Sequence, residues 1–173
     1  WSIIVWPRST LPALAILSVA CTIWFNPLVR GGTAFILNNP LSQTIVELDQ
    51  HARKEGRIPT WIAYGRDHYD IYVPNLCRML GVRSLNGVHA YPQKGLWKIL
   101  DPEGASAGIW NRYAHVRFSL PDDRDAVAIQ LLQNDLILVD LHPENPRFAV
   151  MGVDYLLYSG DATDLGGVQN IVK

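Results

Sequence analysis

The sequence has no acidic residue before Glu47, although 16 Asp and Glu stand among its 173 residues. It has only two cysteines, Cys21 and Cys77, and neither a C-x-x-C pair nor a zinc spacing, which excludes a disulfide framework and a structural zinc. No basic stripe accompanies the net charge of −1, so nucleic acid is excluded as a partner. Also missing are G-x-S-x-G, a P-loop and the Rossmann glycine pattern. Nothing is low-complexity, and no long linker interrupts the chain.

What the start of the chain does have is an uncharged apolar run. Residues 9–29 (STLPALAILSVACTIWFNPLV) carry no charge, and Arg8 and Arg30 bracket them. At about 1.5 Å per residue they reach about 31 Å as a helix, roughly one hydrocarbon core. Ser9 or Thr10 is a natural N-cap and Pro12 suits a first turn, whereas Pro27 drives Asn26 out of helical geometry. The spacing therefore predicts a helix over about 11–25, with Trp6, Trp24 and Phe25 as interfacial anchors. Three readings compete: a final transmembrane helix, a buried helix, and a secretory signal. The absence of an initiator Met places residue 1 inside a longer product and speaks against the signal. One Arg on each side sets no orientation.

The expected organisation is an apolar membrane-anchoring segment, 1–30, and a water-soluble α/β domain, 31–173. The latter holds 13 Lys and Arg against 16 Asp and Glu. Gly31 and Gly32 form a joint. Asn39 and Pro40 open a helix whose core line is Leu41, Ile45, Leu48 and Ala52, closed by Gly56. Strands are expected at 60–64, 82–85, 114–120, 126–132, 136–141 and 153–158. Gln133, Asn134 and Asp135 read as a hairpin turn, with a helix over 123–133 as the rival. Short helices are expected at 74–80 and 146–151, ended by Gly81 and Gly152, and one helical turn at 95–100. The repeated punctuation of Pro, short helix and Gly-Val is ordinary α/β usage. Segment 86–93 reads as a loop, and the tail from Ser159 as frayed. The expected fold class is α/β: a mixed, partly parallel sheet with short packing helices, preceded by one apolar, transmembrane helix.

In open α/β sheets ligands sit beyond the carboxyl ends of the strands. The loops there would hold Arg66, Asp67, His68 and Asp70; Asn86, His89 and Tyr91; and His142 and Glu144. If their strands are parallel neighbours, these loops share one edge, with side chains suited to a polyhydroxylated ligand. Wet loops are polar for no further reason, however. Asp67 and His68 could act as an acid/base pair, although adjacent residues seldom have the geometry. Asp140 and His142 would face the same way as a metal pair, but no third ligand is evident and no metal is assigned. No cofactor is indicated. Trp110, Asn111, Arg112 and Tyr113 form the densest cluster of large polar and aromatic side chains. They could stack on and fork a sugar, or serve as core aromatics with an Arg–carboxylate pair.

Asn26-Pro27-Leu28 after an apolar helix, the run from Asn86 to Pro92, Asn111-Arg112-Tyr113-Ala114-His115, and the run from Gly152 to Leu157 together resemble a known pattern. It is the C-terminal extracytoplasmic end of bacterial multi-pass, glycosyltransferase-C-like membrane proteins of the YfhO type and their relatives. The resemblance spans most of residues 20–160 and rests on the order of short motifs. It implies upstream transmembrane helices as the chain's own partner, a lipid-linked sugar donor and a cell-envelope glycan. It places the domain outside the bacterial cytoplasmic membrane. The family's catalytic carboxylates lie in an early loop with no counterpart here, so no catalytic residue carries over. The expected role is an accessory or acceptor-binding domain. The alternatives are a structural module packing on its own membrane helices, and a free-standing enzyme built on loops 65–70, 86–92 and 142–144.

Overall fold

The computed structural model describes residues 10–25, 31–65 and 72–165. The chain divides into two compact units, Trp1–Pro40 and Leu41–Lys173. In the first unit, α1 spans Thr10–Phe25 and α2 spans Ala34–Leu37. Helix α1 covers the expected 11–25, and the capping and proline positions Ser9 and Pro27 lie outside the described residues. Its apolar side chains are exposed all round, from Leu11 and Leu14 through Ile16, Leu17, Val19 and Ile23. Its 16 residues reach about 24 Å. No described helix is long and apolar enough to cross a membrane. Trp6, Asn26, Pro27 and Leu28, and the side chains of Trp24 and Phe25, lie outside the described residues.

The second unit is a mixed α/β domain. Helix α3 spans Pro40–Lys54 and is closed by Gly56 at φ +79°, with the Arg57 N–H returning to Ala52 O. Its buried line is Ser42, Ile45, Asp49 and Ala52 rather than the purely apolar line expected. Two of the four positions are turned by one residue, about 100° of helix, so Leu41 faces out.

Strand β1 is Trp61–Tyr64, followed by α4 at Tyr72–Met79, β2 at Gly87–His89 and α5 at Lys94–Leu100. Then come α6 at Ala107–Trp110, β3 at Ala114–Ser119, β4 at Val127–Gln133 and β5 at Leu136–Leu141. Helix α7 at Pro146–Val150, β6 at Tyr155–Tyr158 and a 3-10 turn at Ala162–Leu165 finish the described chain. The sheet order is β4-β5-β3-β1-β6, with β2 beside β3. Strands β1, β3, β5 and β6 are parallel, whereas β2 and β4 run antiparallel to their neighbours. The hairpin through Asn134 and Asp135 forms, and the rival helix over 123–133 does not.

Three expectations need correction. Residues 82–85 are not a strand, because only Ser84 bridges Trp61 there. The 86–93 segment contains β2, whose Gly87 at φ +101° disguised it as a turn. The expected frayed tail includes the 3-10 turn, whose Leu165 is buried.

One face of the sheet carries a large apolar cluster. Ile62 and Tyr64, Val116 and Phe118, and Ile137, Val139 and Leu141 alternate inward from β1, β3 and β5. Leu96, Trp97 and Leu100 of α5 cover them, with Phe148 of α7 packed alongside. Each such large side chain contributes about 1.5–3 kcal/mol on burial. The Tyr64 hydroxyl donates to Leu141 O at 2.7 Å, so a polar tip is satisfied inside that cluster.

Candidate functional site

The ladder between β2 and β3 decides which expected site residues meet. Its register pairs Gly87 with Val116, Val88 with His115, and His89 with Ala114. Because β2 runs antiparallel, it carries His89 back to where β3 begins, directly after residues 110–113. This is the amino end of the parallel strands. The segment after β5 lies at the carboxyl end. Of the three loops expected to share one edge, those at 86–92 and 142–144 therefore stand at opposite edges. Asp67 and His68, with Arg66 and Asp70, lie outside the described residues.

Within the amino-end cluster two side chains are committed to the scaffold. Trp110 stacks on Trp97 with ring centroids 5.7 Å apart and donates from Nε1 to Asp101 Oδ2 at 2.7 Å. That bond, first among several, holds the Asp101 carboxyl below its ordinary pKa. Arg112 donates to two backbone carbonyls, Gly108 O at 2.5 Å and Asn134 O at 3.3 Å. It thereby joins α6 to the β4–β5 turn. It is neither a free fork nor, in these bonds, a carboxylate anchor.

Three other side chains face water. Tyr91 is 84% exposed, Tyr113 is 55% exposed, and Asn111 is exposed. His89 is half-buried, held by Arg78 and Leu85 O, with Gln93 beside the ring.

At the carboxyl end, His142 is buried and its Nδ1 accepts the Glu144 N–H at 3.1 Å. Asp140 does not join it. Its carboxylate instead accepts from Ser119 Oγ and from Gln130 Nε2. No group of three metal-ligating side chains occurs among the described residues.

Sequence reasoning placed Asn86 in a candidate ligand loop and gave Asn145 no role, whereas both are buried. Asn86 is fully buried and bonds the backbone of Ala63. Asn145 caps α7 by accepting the Arg147 N–H, and its amide donates to the carbonyls of Arg124 and Asp125. The signal for Asn145 was present, since Asn before Pro146 is an N-cap pattern. Two open depressions occur on the second unit. One of about 370 Å³ is lined by Asp125, Val127, Asn145, Pro146 and Arg147. The other, about 420 Å³, runs along α3. Neither is lined by the amino-end cluster.

The fold is thus a six-stranded mixed α/β domain with an exposed aromatic corner, following an apolar helix. Residues 36–171 match the family described as domain of unknown function DUF7654, and the chain belongs to it. The match begins inside α2, after α1. No curated protein and no solved structure matches the chain.

Proposed function

We propose that the chain is an extracytoplasmic accessory domain of a glycosyltransferase-like bacterial membrane protein, held at the bilayer by the apolar segment that contains α1. The observation that carries this is α1 itself. A 16-residue helix with exposed apolar side chains on every side matches a lipid surround better than a one-sided protein core. The uncharged run 9–29 exceeds the described helix and reaches bilayer thickness. Its own upstream transmembrane region is the first partner in this reading. A glycan or lipid-linked sugar acceptor is the second, met by the exposed aromatic faces of Tyr91 and Tyr113 and by the carboxamide of Asn111.

The two cysteines provide the test. Cys21 is exposed on α1, whereas Cys77 is buried in α4. A water-soluble maleimide should modify Cys21 in buffer, lose that reaction when phospholipid vesicles are added, and leave Cys77 untouched in both. Undiminished labelling of Cys21 with vesicles present would remove the membrane reading. Chemical-shift changes at Tyr91, Asn111 and Tyr113 on adding cell-envelope glycan fragments test the acceptor.

The structural-module reading is favoured by one specific observation. Trp110 and Arg112, the strongest sugar-binding types in the cluster, are bonded inside the domain. An unchanged spectrum with every glycan tried would select it.

A further inference from the structure

Helix α4 is joined to the β2–β3 ladder through two imidazoles. His89 Nδ1 lies 3.0 Å from Arg78 Nη2. A guanidinium has only donors, so Nδ1 accepts with its lone pair and the ring proton sits on Nε2. Nε2 then donates to Leu85 O at 3.2 Å, and Gln93 Nε2, itself a donor to Leu85 O, stands 2.8 Å from that ring nitrogen without accepting from it. The same Arg78 Nη2 donates to Val88 O at 2.7 Å. The stem of Arg78 lies across Gly87, where a Cβ would stand 2.8 Å from Arg78 Cγ. One turn earlier on α4, Asn75 Oδ1 accepts from His115 Nε2 at 2.8 Å. His115 is the register partner of Val88. Two α4 side chains, spaced to share a helix face, therefore hold two neighbouring rungs of one ladder.

We propose that this junction is an acid-sensitive latch, in which protonation of His89 releases Arg78 and loosens α4 from β2, whereas His115, already a donor to Asn75, keeps its bond when protonated. A proton added to His89 sits on Nδ1. Two donors and two like charges then oppose each other across the 3.0 Å contact. Arg78 cannot give up its own proton, so it must swing away and leave Val88 O behind.

The surroundings resist that proton. Around His89 stand Arg78 from α4, His115 from β3, the Gln93 amide, and the backbone of Leu85 and Asn86. Around His115 stand Arg117 of its own strand, Asp135 of the β4–β5 turn, and Asn75. Burial first and the Arg78 charge second hold His89 below the ordinary imidazole pKa of 6.5. Burial and Arg117 do the same for His115, against an opposing pull from Asp135. Both folded-state values are lowered, so the unfolded or released state takes up protons first. The latch is fully stabilising above the ordinary value and weakens as pH falls from there towards the folded-state values.

Amide hydrogen exchange of the full chain at about pH 7.5 and about pH 5, corrected for intrinsic rates, tests the latch. Peptides covering α4 and β2 should lose about tenfold or more in protection at the lower pH. The β4–β5 hairpin should keep its protection. In the variant His89→Gln the α4 and β2 peptides should exchange alike at both pH values. A uniform loss over the whole domain, no loss at α4, or an undiminished response in the His89 variant overturns the proposal. If that variant does not fold, Arg78→Gln decides. It should raise the His89 titration midpoint, followed by NMR, towards the ordinary value, and an unmoved midpoint overturns the latch.

Discussion

The side-chain carboxamide of Asn86 stands in for a strand against Ala63. Its Oδ1 accepts the Ala63 N–H and its Nδ2 donates to Ala63 O, both at 2.7 Å. Strand β1 needs this. On one side it pairs with β6 over its whole length. On the other side its partners change from residue to residue. The Ser84 bridge serves Trp61, Asn86 serves Ala63, and β3 reaches only Tyr64. One amide therefore completes the ladder where no strand runs.

Replacing Asn86 with Ala should leave both backbone groups of Ala63 buried without partners. The expected cost is about 3 kcal/mol, read from the urea midpoint at constant slope. Asn86→Asp should be no better, because a carboxylate cannot donate to Ala63 O. A loss below about 0.5 kcal/mol for both would mean that water replaces the amide.

Arg112→Ala separates scaffold from site. Two charge-assisted bonds to carbonyls at a partly exposed position should contribute about 1–2 kcal/mol. The alternative of stranding a buried carboxylate would cost about 3–5 kcal/mol. A thermal melt tells these apart, and an unchanged melting temperature would refute both.

Gly81 and Gly152 sit at φ +75° and +64°, each directly after a short helix. An added Cβ meets no atom at either position, so the penalty is purely conformational. Alanine should cost about 1–2 kcal/mol at each site, checked by denaturation. Equal stability of the variants would show that the loops relax to negative φ.

Trp110→Phe removes the donor that most lowers the Asp101 carboxyl. The Asp101 titration should then move up towards the ordinary carboxylate value of 3.8, as followed by side-chain NMR. A lowered folded-state value means that this bond stabilises above the ordinary carboxylate range. The stabilisation fades as pH falls through the folded-state value. The variant should therefore lose less stability on acidification than the parent, and an identical acid profile would count against the bond.

Cys77 is enclosed beside Leu76, and burial pushes its thiol up to about 12. It should resist alkylation at neutral pH until the domain unfolds. Reaction in the native state at the rate of a free thiol would show that α4 opens readily.

Local patterns were readable wherever the physics is local. The helix starts at Pro40 and Pro146 follow from capping residues and prolines. The positive φ of Gly56, Gly81 and Gly152 follows from their position after a helix. The β4–β5 hairpin follows from alternation and the polar residues between its strands. The α3 face was misread because Ser42 and Asp49, polar by type, are buried by surroundings that no spacing within the helix reveals. Strand β2 was hidden for a related reason. Three residues beginning with a positive-φ glycine have no period of their own, and only pairing with β3 makes them a strand.

By itself, then, the sequence determined the apolar, charge-free start, the mixed α/β class and most element ends, since each depends on side chains a few residues apart. Tertiary structure decided the rest. The antiparallel return of β2 placed His89 beside the start of β3 rather than with the loops at the carboxyl ends. It bound Trp110 and Arg112 into the scaffold while leaving Tyr91 and Tyr113 outside, and it brought Asn86 to Ala63. The meetings of His89 with β3, of Arg112 with Asn134 and of Asn86 with Ala63 depend on register between segments about 20 residues or more apart, and a period-2 or period-3.6 pattern carries no information about which segment a strand will meet.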